Sequence, residues 1–177
     1  EFYPPQTKEG VIKLKQTAKD LNQYNPEFFS VTFGAGGSTK EKTLDTVLEL
    51  RELGFNATPH ISCISSSKME IKELLDKYKS HKINHLVALR GDNPSGSVNF
   101  GELNYANELV SFIKSEMGNT FKIDVAAYPE VHPESDTAKL DFINFKNKVE
   151  AGADSAITQF FYNIDAYFKF MDECQKY

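Results

Sequence analysis

His85-Leu-Val-Ala-Leu-Arg-Gly-Asp92 is the stretch on which the fold turns. The uninterrupted apolar run from Leu86 to Leu89 suits a strand covered on both faces, and Arg90-Gly91-Asp92 closes it with two charges around a glycine. Working outward, other segments end in the same way: Glu1-Phe-Tyr-Pro-Pro5, Ser30-Val-Thr-Phe-Gly-Ala-Gly-Gly37, Thr58-Pro-His-Ile-Ser-Cys63, Val125-Ala-Ala-Tyr-Pro-Glu-Val-His132 and Ile157-Thr-Gln-Phe-Phe161. Helical stretches separate them. Polar groups that close successive strands gather at one end of a parallel sheet, where α/β folds place their sites.

The intervening stretches carry helix signals. Val11, Leu14, Ala18 and Leu21 make one helical face, and a strand follows over residues 28–33. Ser38-Thr-Lys-Glu41 reads as a capping box opening a helix with Leu44, Val47, Leu48 and Leu50 on its apolar side and Gly54 as its stop. A strand over residues 56–63 precedes a second box, Ser67-Lys-Met-Glu70, and a helix carrying Ile71, Leu74, Leu75 and Tyr78. After the His85 strand, a Pro/Ser/Gly loop over residues 93–101 leads to a helix over 104–114. A strand over 123–127, a helix over 138–151, a strand over 155–161 and a helix over 164–175 complete the alternation. With Glu1-Phe-Tyr3 counted as the tail of a first strand, the pattern predicts six βα units. Such units make parallel strands with right-handed crossovers, in either an open doubly wound sheet or a barrel. Periodicity alone does not separate the two. A complete (βα)8 barrel takes about 250 residues, so six units would be an incomplete one with an unpaired strand edge.

At 177 residues with no shift in composition, the chain reads as a single domain over 1–177. Net charge is −5 with acidic and basic residues interspersed, which excludes the basic face of a nucleic-acid binder. Fourteen Phe and eight Tyr exceed the needs of a small core and leave rings to stack on a flat ligand. Cys63 and Cys174 lie far apart without metal-type spacing and read as reduced thiols of a cytosolic protein. No apolar stretch approaches membrane-spanning length and no signal peptide is visible. The chain opens on Glu1 without a Met, inside what reads as a strand, so that start reads as clipped.

Several residues carry chemistry. Glu1 precedes Phe2, Tyr3 and two prolines, an apolar setting suited to a general acid, although an ordinary terminal carboxylate reads the same way. Arg90 supplies a fork for phosphate or a polar ring edge, and Gly91 lets backbone approach a ligand closely. Asp92 could bond ring nitrogens or stabilise a cation; an Arg90–Asp92 pair that merely closes the loop is the alternative. His60 and His132 fall at strand ends beside prolines. A metal-hydrolase reading would recruit both with Asp92, yet no HxH or HxxxH pair occurs, so hydrogen bonding to a cofactor is the better reading. Gly34-Ala-Gly-Gly37 fits a phosphate cradle or a tight turn equally well. Lys146 and Lys148 lie on a polar helix, where a solvated face is the usual meaning. Gln159 alternates with Ile157 and Phe161, which predicts a buried amide in need of partners.

Taken in this order, the six signatures closely resemble the methylenetetrahydrofolate reductase family over nearly the whole chain, with Val87–Asp92, Ala126–Glu134 and Ile157–Phe161 the most distinctive. The resemblance implies a (βα)8 TIM-barrel domain with about six of its eight units in this chain, cut in its first strand and lacking the last two units. It further implies a cytoplasmic flavoprotein that is a homo-oligomer when complete, with no nucleic-acid, membrane or metal partner. Such an enzyme moves a hydride from NAD(P)H to non-covalent FAD and then to 5,10-methylenetetrahydrofolate, giving 5-methyltetrahydrofolate. By the same resemblance Glu1 is the acid that assists opening of the folate ring, and Asp92 stabilises the iminium cation that results. Gln159 contacts folate or nicotinamide, and Thr32 lies at the same flavin face. The positions matched to FAD are Phe33, Ala35, His60, Arg90, Gly91, Asp92, Tyr105, Ala106, Tyr128, His132, Asp141, Asn144 and Lys148. Of these, Lys148 and His132 suit the diphosphate. Phe33 and Asn147 stand where other members often carry Tyr and Arg. The alternatives are an inactive flavin-binding barrel fragment, a flavin barrel of the proline dehydrogenase type, and a metal-dependent hydrolase.

Overall fold

The computed structural model describes residues 1–34, 40–92 and 101–177. Its elements are α1 (Lys8–Asn22), β1 (Phe29–Val31), α2 (Lys40–Glu52), β2 (Ala57–Ser62), α3 (Lys68–Ser80), β3 (His85–Leu89), α4 (Ala106–Met117), β4 (Lys122–Ala127), α5 (Ala138–Glu150), β5 (Ser155–Thr158) and α6 (Ile164–Cys174). All pairings are parallel and the strands lie in sequential order, β1-β2-β3-β4-β5. That order resolves the ambiguity left by the sequence. A doubly wound sheet reverses direction at a switch point, whereas a barrel adds each strand beside the last. Phe2 extends the series with a parallel bridge to Val31, its N–H donating to Ser30 O at 2.8 Å and its carbonyl accepting from Thr32 N–H at 2.9 Å. The expected first-strand tail is therefore present as one bridge.

Strand alternation divides the sheet into two unlike faces. Val31, Ile61, Leu86, Ala88, Ile123 and Val125 are fully buried and point to the helices. There they share one core with Leu14 and Ala18 of α1, Leu44, Val47 and Leu50 of α2, Leu75 of α3, and Leu109 and Ile113 of α4. The opposite face carries Ser30, Thr32, Thr58, His60, His85, Asp124 and Ser155. Although Val87 and Ile157 share it, that face is polar at many positions where an ordinary barrel interior holds branched apolar residues. A polar inner face directs hydrogen-bonding groups toward the barrel axis.

Local signals explain the helix starts. Thr7 Oγ1 accepts from Gly10 N–H at 3.0 Å to cap α1. Ser67 and Glu70 form the expected reciprocal box on α3, with Ser67 N–H donating to Glu70 Oε2 at 2.7 Å. Ser38 of the other box, most of the glycine-rich turn, and residues 93–100 of the long loop lie outside the described residues. Two expectations are corrected. Leu21 is 42 % exposed, so the apolar face of α1 narrows to Leu14 and Ala18. β5 ends at Thr158, three residues short of the expected run, and Gln159 is exposed. β5 is the edge of the described sheet, and neither α5 nor α6 has a buried residue to cover it, so alternation there does not translate into burial. No described helix is long and apolar enough to cross a membrane.

Candidate functional site

The carboxyl ends of the strands open into one cleft of about 1320 Å³. The ends of β1 to β4 contribute to it in turn, and the end of β5 does not. The leading segment brings Glu1, the β1 end brings Thr32 and Phe33, and β2 brings His60. The β3 end brings Arg90, Gly91 and Asp92, and the start of α4 brings Tyr105 and Ala106. Tyr128 and His132 follow β4, while Asp141, Asn144 and Lys148 face the cleft from α5. Gln159 does not line the cleft as described, and Ala35 lies outside the described residues.

Thr32 is 5 % exposed, its backbone is held at both polar groups, and its side-chain hydroxyl oxygen has no hydrogen-bond partner among the described residues. A buried hydroxyl normally finds a partner, so its orphaned state at the cleft wall fits a ligand contact. His60 is buried with Nε2 4.0 Å from Glu1 Oε2. Burial pushes its pKa below the ordinary histidine value, and the Glu1 carboxylate only partly offsets this. Glu1 itself is not enclosed as its apolar neighbours suggest. Its side chain is 53 % exposed, because Phe2 turns onto Phe29, Tyr3 is 64 % exposed, and neither covers the carboxylate.

The Arg90-Gly91-Asp92 turn is tight for a stated reason. Gly91 has φ +88°, and a Cβ there would sit 2.7 Å from Ile64 Cγ2 and 3.0 Å from Ser62 Oγ. Only glycine fits, and the bare backbone faces the cleft. The sequence reading allowed an Arg90–Asp92 pair; Arg90 instead bonds Glu134 Oε2 at 2.7 Å through Nη2 and Gly91 O at 3.1 Å through Nε. The guanidinium holds the Glu134 carboxyl below its usual range. Asp92 remains exposed at the rim.

Across the cleft, the rings of Tyr128 and His132 meet edge to face at 4.5 Å. His132 N–H donates to Asp141 Oδ2 at 2.9 Å, and His132 Nδ1 accepts from Glu134 N–H at 3.0 Å, which leaves the ring N–H of a neutral imidazole on Nε2. Burial raises the Tyr128 phenol above its ordinary value, with Asp141 and Asp92 adding to the effect. Lys148 departs from the solvated-face expectation. It reaches inward to Ala126 O at 2.5 Å, and burial lowers its pKa against the pull of Asp141. Lys146 does lie outward, 3.6 Å from Glu150 and over the Tyr177 ring.

Sequence reasoning missed Tyr3, Ser62, Asn107 and Glu134, which also line the cleft. Ser62 was findable, since it shares a strand face with His60. Glu134 carried a signal too, two residues beyond His132 in the same strand-end loop. Cys63 is fully buried against the carbonyls of Arg90 and Tyr105, and burial pushes its thiol up to about 11, as for an inert packing residue. Among the described residues, no three of His, Cys, Asp and Glu group as metal ligands would.

Comparison with known proteins gives a consistent result. The chain is 42 % identical over 177 residues to 5,10-methylenetetrahydrofolate reductase of Pectobacterium carotovorum subsp. carotovorum, covering 98 % of this chain and 57 % of that protein. It is 42 % identical over 175 residues to the enzyme of the same name from Escherichia coli (strain K12), covering 98 % and 58 %. Methylenetetrahydrofolate reductase (NADH) 1 of Arabidopsis thaliana is 35 % identical, with 99 % of this chain and 32 % of that protein aligned. The chain thus spans a little over half the length of these bacterial relatives. Among solved structures, an uncharacterized protein from Clostridium thermocellum that binds two copies of 5-methyl-5,6,7,8-tetrahydrofolic acid matches with a TM-score of 0.59 over 97 % of this chain and 57 % of that one. At 14 % identity it speaks to the fold alone. The model of the family described as methylenetetrahydrofolate reductase matches residues 1–177, and the chain belongs to that family.

Proposed function

We propose that the cleft holds FAD non-covalently and, against it, nicotinamide and folate in turn, so that the whole enzyme reduces 5,10-methylenetetrahydrofolate to 5-methyltetrahydrofolate with NAD(P)H. The observation that carries this reading is the convergence of the family-matched residues from separate strand ends on one cleft. Its volume of about 1320 Å³ exceeds the ~300–1,000 Å³ usual for a single small ligand, which suits two flat partners. The bare Gly91 backbone, the orphaned Thr32 hydroxyl and the inward Lys148 ammonium are what a flavin with a diphosphate tail and a second ring system would use.

When bound, the flavin supplies the hydride relay between nicotinamide and folate. The chain's own residues hold protons and charge. Glu1 donates a proton to the folate nitrogen that leaves as the five-membered ring opens, and neutral His60 beside it keeps a second cation away from that carboxyl. Asp92, at the rim, stabilises the iminium cation formed by ring opening. Gln159 acts on the same face once β5 is covered. His132 and Lys148 take the diphosphate, and Arg90 exchanges Glu134 for the flavin. The enzyme works in the cytoplasm, as a homo-oligomer when complete.

The test is an anaerobic reaction of the chain with FAD, NADH and 5,10-methylenetetrahydrofolate. Formation of 5-methyltetrahydrofolate, reduced by about 10²–10⁴-fold in Glu1→Gln with flavin bleaching by NADH retained, supports the reading. A second reading is favoured by the uncovered β5 edge and the exposed Gln159: this chain holds flavin without turnover. Bleaching without product selects that reading, and neither bleaching nor product overturns both.

A further inference from the structure

The Tyr128–His132 turn holds a residue that its chemistry resists. Val131 has φ +79°, a left-handed conformation that a β-branched side chain adopts only when its surroundings impose it. The turn closes locally through one long bond, Val131 N–H to Tyr128 O at 3.3 Å. Stronger anchors flank it. On one side His132 N–H is fixed by Asp141 Oδ2 of α5. On the other, a single oxygen of Glu130, Oε1, accepts the backbone N–H groups of Tyr162 at 3.2 Å and Asn163 at 2.7 Å. Asn163 in turn caps α6, its Oδ1 accepting from the N–H groups of Asp165 and Ala166.

Resting on the reading of the cleft as a ligand site, we propose that Glu130 is a positioning residue that sets the loop carrying Tyr128 and His132 in register with the segment carrying Gln159. Gln159 is tied to the neighbouring strand by its own N–H to Ala127 O at 2.7 Å, and the next tie along the chain is the Glu130 carboxylate. The two segments follow successive strands, β4 and β5; Tyr128 and His132 line the cleft, and Gln159 as described does not. Charge-assisted bonds to backbone N–H are roughly twice as strong as neutral ones, so one carboxylate suffices to hold both the strained turn and the start of α6. Loss of the carboxylate frees Val131 to relax to negative φ, and the Tyr128 and His132 rings move with it.

The experiment compares hydrogen exchange of the free chain with that of Glu130→Ala, Glu130→Asp and Glu130→Gln, followed by FAD titration of each. Glu130→Ala is expected to speed exchange at both 128–135 and 159–163 by about tenfold and to weaken FAD by about three- to tenfold. Glu130→Asp keeps the charge but shortens the reach, and moves both readouts the same way. Glu130→Gln keeps one oxygen able to accept both bonds but loses the charge, so it falls between the parent chain and Glu130→Ala in both readouts. Faster exchange confined to 159–163, or unchanged exchange at 128–135 in both Ala and Asp variants, overturns the coupling. A parent chain that takes up no FAD, with both segments still loosened by Glu130→Ala, supports the coupling and overturns the flavin reading instead.

Discussion

Thr32 and Gly91 make opposite demands at the cleft wall, one through an atom without a partner and the other through an atom that is absent. Thr32→Val removes the orphaned hydroxyl without changing shape, so the ligand-free chain should unfold at an unchanged or slightly higher temperature. The same variant should bind NADH several-fold more weakly in the flavin-loaded state. Equal binding by the two chains would show that the hydroxyl meets no ligand. Gly91→Ala should destabilise the chain by about 1–3 kcal/mol, from a Cβ pressed against Ile64 and Ser62 at a positive φ. A urea midpoint equal to that of the parent chain would contradict the tight turn. Glycine's role at position 91 was legible from sequence as close approach to a ligand. The collision with Ile64 was not, because it comes from packing between β2 and β3 that no local pattern encodes.

At the scale of elements, the polar inner face is tied together across four strands. Thr58 Oγ1 of β2 lies 3.1 Å from His85 Nδ1 of β3, and His85 Nε2 lies 2.8 Å from Asp124 Oδ2 of β4. Ser155 of β5 donates to the other Asp124 oxygen. Burial pushes the Asp124 carboxyl up, but the bonds from His85 and Ser155 outweigh it and hold the group below its usual value of 3.8. A carboxyl whose pKa is depressed in the folded state contributes stability that is present above the unfolded value and lost as pH falls through the folded one. Asp124→Asn should therefore be less stable than the parent chain at pH 7, and the gap should narrow steadily below about pH 4. Urea midpoints measured from pH 7 to pH 3 test this; a gap independent of pH would assign the loss to packing. His85 was visible in the sequence only as the charge before an apolar run, since its partners lie on strands 39 and 27 residues away. The Ser67–Glu70 box was legible because every atom of it is local. Gln159 was misjudged as buried because alternation states which face a side chain takes, and not whether anything covers that face.

For the whole molecule, the number and order of βα units could be read from the chain, but the choice between barrel and doubly wound sheet could not. Both folds repeat the same unit, and only the pairing order distinguishes them. Sequential pairing puts every strand end on one rim, which is why residues as distant as Glu1 and Lys148 share a cleft. The same order leaves the inner side of β5 and the apolar residues Ile157, Phe160 and Phe168 exposed at one edge. The flavin proposed for this rim can be tested without substrate. The most direct measurement is the visible absorption spectrum of the purified chain mixed with FAD, desalted, and then treated with NADH without oxygen. A retained flavin band that bleaches with NADH is the predicted result, whereas loss of the band from a chain that circular dichroism shows to be folded would contradict a flavin site at this rim.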